Sequence, residues 1–275
     1  MLQIRNDEVT LVFILVILIG AVMGLTGAGG GILAVPVLVA GMHWSMQQAA
    51  PVALIAVAAG AAVGAIDGFK NGLVRYKAAI LMAVCGVPVT NLGQHWAHVI
   101  PQFILMGVFA LLMLAVSWRF YQQSLPTHLN SEDDALRLAF INTETSKFIW
   151  TPIAAFILAG IGMLTGLMTG LLGVGGGFLI VPLMRRFTHL ALPSIVATSL
   201  FVITLVGSGG VISALLAGAE LPVIETSSFV GAMVGGMLVG RKVSRRLQPW
   251  QVQRGFAFLL FIVSAYMLFK AFLTY

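Results

Sequence analysis

Charge is what this chain has least of. Of its 275 residues, 15 are Lys or Arg and 9 are Asp or Glu. Residues 9–66, 78–118, 148–184, 187–219, 226–240 and 255–269 contain none of these four types. Roughly a quarter of a water-soluble domain is charged, so a soluble enzyme or an ordinary binding domain is excluded. About 20 apolar residues cross the hydrocarbon core as a helix. The charge-free windows therefore read as membrane segments, in keeping with a mean hydropathy of +1.02.

Other absences narrow the function. Cys85 is the single cysteine, which rules out a disulfide within the chain. In an apolar segment it reads as a small core residue. His43, His189, His95 and His98 have no further Cys, His or acidic partners at metal-ligand spacing, so neither a metal nor any other cofactor is expected. No Ser/His/Asp set, His-Glu-x-x-His or pair of acids lies inside the segments, and no Gly-Lys-Ser/Thr follows a glycine run. The first residues pair Asp7 and Glu8 with Arg5 ahead of the apolar run 11–19, unlike the basic start of a signal peptide, so this run is read as part of the mature protein.

The charges that are present sit at segment ends. The net charge of +6 is thus explained by lipid head groups and membrane topology, without nucleic acid. Trp44, Trp96, Trp118, Trp150 and Trp250 are also near segment ends, as in an interfacial aromatic belt.

Glycine is abundant, and part of it is duplicated. Gly24-Leu25-Thr26-Gly27-Ala28-Gly29-Gly30-Gly31 recurs 146 positions later as Gly170-Leu171-Leu172-Gly173-Val174-Gly175-Gly176-Gly177. Both copies run into a proline, Pro36 and Pro182, and 10 of 19 positions from Gly20 and Gly166 onward are identical. This marks an internal duplication. Five apolar segments are read in each half: 9–23, 32–40, 47–66, 78–92 and 101–121, then 148–169, 178–184, 193–217, 226–240 and 249–269. The domains are a first repeat at 1–121, a polar linker at 122–147 carrying Glu132, Asp133 and Asp134, and a second repeat at 148–275.

Equivalent loops carry opposite charge. Lys70, Arg75 and Lys77 follow the third segment, whereas Glu220 and Glu225 stand at the corresponding place in the second half; Arg241, Lys242, Arg245 and Arg246 follow the ninth, where the first half has His95 and His98. Under the positive-inside rule, equivalent loops face opposite sides. The expected fold is an all-α polytopic membrane protein made of two inverted repeats of about five helical segments, 8–10 in all, with a glycine-rich break between the first two segments of each repeat. The basic loops and the linker are expected in the cytoplasm, with both termini outside. This requires each break to be a reversal. A kink, giving eight full spans and parallel halves, is the competing arrangement.

The paired Gly-x-x-Gly-x-Gly-Gly-Gly motifs with proline five residues on, together with Ala197-Thr198-Ser199-Leu200, resemble the TauE/SafE-type sulfite exporter family of membrane permeases over nearly the whole chain. The resemblance implies transport of small sulfur-containing anions such as sulfite, thiosulfate or organosulfonates, with both repeats around the pathway, in a bacterial inner membrane. In the first half, where the family often repeats the Thr-Ser-Leu type of sequence, this chain has Ala50-Pro51-Val52-Ala53-Leu54.

Independently of the resemblance, glycine permits positive φ and lets amide N–H groups converge. A helix starting after such a turn adds free N–H groups and partial positive charge. Gly27, Gly29, Gly30, Gly31, Gly173, Gly175, Gly176 and Gly177 are the expected anion-facing residues; Gly20, Gly24, Gly166 and Gly170 fit helix packing. Thr198 and Ser199 are the expected side-chain contacts, ahead of Thr204 and Ser208, although such hydroxyls often bond to a carbonyl one turn back. Asp67 reads as an interfacial residue near Lys70, or else as a proton or cation site. The expected partners are a small anionic substrate, membrane lipid and a possible coupling ion; oligomeric state is not legible. A non-transporting membrane protein, either an intramembrane enzyme or a partner-binding subunit, is the alternative.

Overall fold

The computed structural model describes residues 2–26, 30–42, 44–124, 151–188, 190–218, 222–244 and 249–273. Gly27, Gly29, His43, His189, Glu220, Arg245, Arg246 and most of the linker lie outside the described residues. Among the described residues the protein is helical: α1 (Leu2–Thr26), a 3-10 turn (Gly30–Leu33), α2 (Ala34–Gly41), α3 (Met46–Lys70), α4 (Tyr76–Val99), α5 (Gln102–Gln123), α6 (Pro152–Leu172), α7 (Gly177–Phe187), α8 (Leu192–Leu216), α9 (Val223–Ser244) and α10 (Pro249–Leu273). Seven of them, α3 to α6 and α8 to α10, are long and apolar enough to cross a membrane.

Local signals set the helix ends. Ser45 and Gln48 form a reciprocal capping box that starts α3, with both bonds at 3.2 Å. Thr151 caps α6 by accepting from the Ala154 N–H at 3.1 Å, and Pro152 follows in the first turn. The α4 helix extends well past the apolar window that announced it, reaching Val99 through Gln94, His95 and His98.

The first glycine break is a reversal. A Cβ at Gly30 would collide with Met23, and one at Gly41 would collide with Val12, so α2 runs back along α1. α2 and α7 have 8 and 11 residues. At about 1.5 Å per residue they cover only about half, or less, of a roughly 30 Å hydrocarbon core. Pro36 and Pro182 lie inside these two short helices, where each removes a backbone donor.

Glycine brings the long helices together in parallel pairs. Gly20 lies against Met233 and Gly236, and Gly24 against Met237 and Gly240, so α1 and α9 run in the same direction. Gly166 meets Gly86 and Gly170 meets Gly93, which does the same for α6 and α4. Without a side chain the backbones approach closely, which is how membrane helices gain dispersion energy where lipid offers no hydrophobic drive. The centre is different. Gly68 sits by Ala197, Gly64 by Leu200 and Gly207 by Ala58, so α3 and α8 are antiparallel. α5 and α10 are antiparallel as well: the Phe120 and Phe256 rings meet at 4.9 Å, and the Ser117 hydroxyl donates to the Ala257 carbonyl at 2.7 Å.

Candidate anion pathway

The two glycine stretches converge on the middle of α3 and α8. A Cβ at Gly31 would come within 2.9 Å of Val57 Cγ1 and 3.1 Å of the Val174 carbonyl oxygen. One at Gly175 would come within 3.0 Å of Ile203 Cγ2 and 3.1 Å of Val57 Cγ1. Val57 and Ile203 are themselves 146 positions apart, so each half supplies one apolar side chain to this point.

The stretches differ in backbone. Gly173, Gly175 and Gly176 have φ of 69°, 76° and 60°, a region closed to most side chains. Gly173 ends α6 by donating to the Thr169 carbonyl at 2.8 Å, and Gly176 is the N-cap of α7, so Gly177 and Phe178 begin a helix whose first N–H groups have no partner within it. Gly30 and Gly31 instead begin the 3-10 turn. Their requirement is space.

Beside the second stretch lies a hydroxyl that the sequence pattern did not single out. Thr165 is fully buried, and its Oγ1 has no hydrogen-bond partner. Thr169, one turn on, donates to the Thr165 carbonyl at 2.8 Å, and a Cβ at Gly176 would collide with both residues. Spacing from Gly173 could have found them: Thr169 and Thr165 lie about one and two turns before it on a single face of α6.

Thr198 and Ser199 are both fully buried. The Thr198 Oγ1 accepts from the Arg75 N–H at 3.0 Å, tying α8 to the α3–α4 loop. Ser199 donates to the Val196 carbonyl at 2.8 Å, and Thr204 to that of Leu200 at 2.9 Å. Neither Thr198 nor Ser199 lines the cavity described next.

A cavity of about 1060 Å³ opens at the end of the bundle where α3, α5 and α9 finish. Its inner wall includes Thr26, at the end of α1, and Phe178, at the start of α7, so it reaches the edge of both glycine stretches. Among the described residues, four basic side chains, Arg119, Arg185, Arg241 and Lys242, line it against a single acid, Asp67. Asp67 is not paired with Lys70. Arg241, from α9, meets it at 2.9 Å and also donates to the Gly64 carbonyl at 2.6 Å. Facing charges from two helices decided this partner, which adjacency in sequence could not. No group of three or more His, Cys, Asp or Glu that could hold a metal occurs among the described residues.

The sulfite exporter TauE/SafE family profile matches residues 12–267. A probable membrane transporter protein of Xylella fastidiosa is 28% identical over 265 residues, covering 92% of this chain and 92% of the relative. YunE, a probable membrane transporter protein of Bacillus subtilis, is 22% identical over 271 residues, covering 94% and 98%. A probable membrane transporter protein of Methanocaldococcus jannaschii is 23% identical over 280 residues, covering 95% and 97%. No solved structure gives a significant match.

Proposed function

The chain belongs to the sulfite exporter TauE/SafE family, and on that premise we propose that this integral membrane protein is a secondary permease for a small sulfur-containing anion such as sulfite, thiosulfate or an organosulfonate. The observation that carries the reading is the cavity: a basic opening whose lining includes Thr26 and Phe178, which border the two glycine stretches. Clustered positive charge in a low-dielectric mouth concentrates anions. The turns then supply backbone N–H groups without burying a full cation in the membrane, as broken helices do in other transporters.

In this reading the halves are inverted repeats. The antiparallel run of α3 against α8 and of α5 against α10 supports it, because these helices are counterparts in the duplication and a parallel repeat would align them. The basic mouth then faces the cytoplasm. Alternating access then moves the α1–α9 pair against the α4–α6 pair about the α3–α8 crossing, because glycine packing locks each pair across the halves. The anion site comprises Gly27, Gly29, Gly30, Gly31, Gly173, Gly175, Gly176 and Gly177 with the Thr165 hydroxyl. Thr198 and Ser199, near the basic end of α8 and closed off from the cavity in this conformation, meet the anion only as α8 moves in the transport cycle, and Thr198 meanwhile holds α8 to the α3–α4 loop. No catalytic step is assigned.

Flux measured in proteoliposomes holding only the purified chain tests the reading. Sulfite, thiosulfate and taurine are expected to move in preference to acetate and chloride. Equal movement of all five, or none, contradicts it.

A further inference from the structure

The Arg241–Asp67 pair has a counterpart that shows what it adds. In α4, the half corresponding to α9, the Gln94 side chain donates to the Gly210 carbonyl at 2.8 Å. Gly210 lies 146 positions after Gly64, whose carbonyl Arg241 holds at 2.6 Å. The same helix-to-helix bond is therefore made twice, once by a neutral amide and once by a guanidinium. The position corresponding to Asp67 is Ser213. Joining the helices does not require a charge, and the cation and its carboxylate are additions at one end.

That end is the cavity, where Arg241 and Asp67 side chains are 24% and 44% exposed. A guanidinium has five N–H donors in a planar fork matched to oxyanions. The Gly64 carbonyl and Asp67 engage two of its nitrogens. An ion pair partly open to water is held weakly, so exchanging one oxyanion for another there costs little. We propose that Arg241 is an anion-binding residue of the cavity mouth, and that Asp67 is an internal stand-in which the arriving sulfur oxyanion displaces. This inference rests on the permease reading. Arg119, Arg185 and Lys242 supply the surrounding positive field, and Arg241, anchored to α3 through Gly64, fixes the anion at the entrance to the glycine stretches.

Equilibrium binding of radiolabelled thiosulfate to the purified, detergent-solubilised chain tests it, comparing the parent, Asp67→Asn, Arg241→Gln and the double variant. Arg241→Gln copies the neutral half and should weaken binding about tenfold or more, the scale of a lost hydrogen bond to a charged group. Asp67→Asn should tighten binding, and the gain should vanish in the Arg241→Gln background, because the two residues act as a unit. Should Arg241→Gln not fold, Arg241→Lys, which keeps the charge but not the fork, should weaken binding and shrink the Asp67→Asn gain. Weaker binding in Asp67→Asn makes the pair a structural clamp; a gain that survives in the double variant makes Asp67 a long-range field only; no change in either variant removes Arg241 from the path. Each overturns the inference while leaving a parent that binds and moves thiosulfate as a permease. A parent that does neither removes the proposed function and the inference together.

Discussion

Gln94 occupies in the first half the place that Arg241 occupies in the second. Each reaches across to a carbonyl of the central antiparallel helices, Gln94 to Gly210 at 2.8 Å and Arg241 to Gly64 at 2.6 Å. Among the neighbouring cavity positions, Asp67 and Arg185 correspond at the 146-position spacing to Ser213 and Val39. The helix-to-helix bond is thus common to both halves, and its charge is not.

Sidedness is the first consequence. In a Cys85→Ala background, a membrane-impermeant thiol reagent should label a cysteine at Asn71 from one face and a cysteine at Glu225 from the other, with Asn71 cytoplasmic. Labelling of both positions from the same face contradicts the inverted arrangement.

The parallel helix pairs should be intolerant of even one methyl group. A Cβ at Gly166 would collide with the Gly86 backbone, whereas one at Gly235 meets nothing within 4 Å. Overpacking costs typically about 1–3 kcal/mol. Gly166→Ala should lower the melting temperature in detergent by several degrees, the range expected for such a cost, and Gly235→Ala should leave it unchanged. Thermal unfolding followed by size-exclusion profile gives the comparison.

Two buried threonines should separate binding from stability. The Thr165 hydroxyl has no partner, so Thr165→Val should melt no earlier than the parent, yet weaken thiosulfate binding by the on the order of 1.5–3 kcal/mol of a hydrogen bond to a charged group. Thr198→Val strands the Arg75 N–H and should lower the melting temperature, whereas Thr198→Ser should keep it. Equal melting and unaltered binding in Thr165→Val would remove that hydroxyl from the site.

Much of the architecture was legible in the sequence because the membrane simplifies the problem. Charge-free windows locate the helices, and duplicated glycines mark the breaks. The equivalence of Gly20 with Gly166 and of Gly24 with Gly170 was visible, and the structure places all four at helix crossings. Side-chain partnership was harder to read. Asp67 sits three residues before Lys70 but points across to Arg241, a contact 174 positions away in sequence. Thr165 precedes the glycine stretch inside an ordinary apolar helix, and only the fold of the turn back onto α6 brings it beside Gly176. Thr198 and Ser199 stood out by motif, while the hydrogen bond from Arg75 N–H to Thr198 depends on a loop whose path no local pattern encodes.

Whether the two glycine stretches hold the anion is decided by thiosulfate flux in proteoliposomes. Gly176→Val adds a branched side chain at φ of 60° against Thr165, and Gly30→Val adds one against the Met23 backbone. Monodisperse, folded Gly30→Val and Gly176→Val proteins should show no flux above empty liposomes while the parent transports. Flux at the parent rate in either folded variant would contradict that role and make that stretch a packing element.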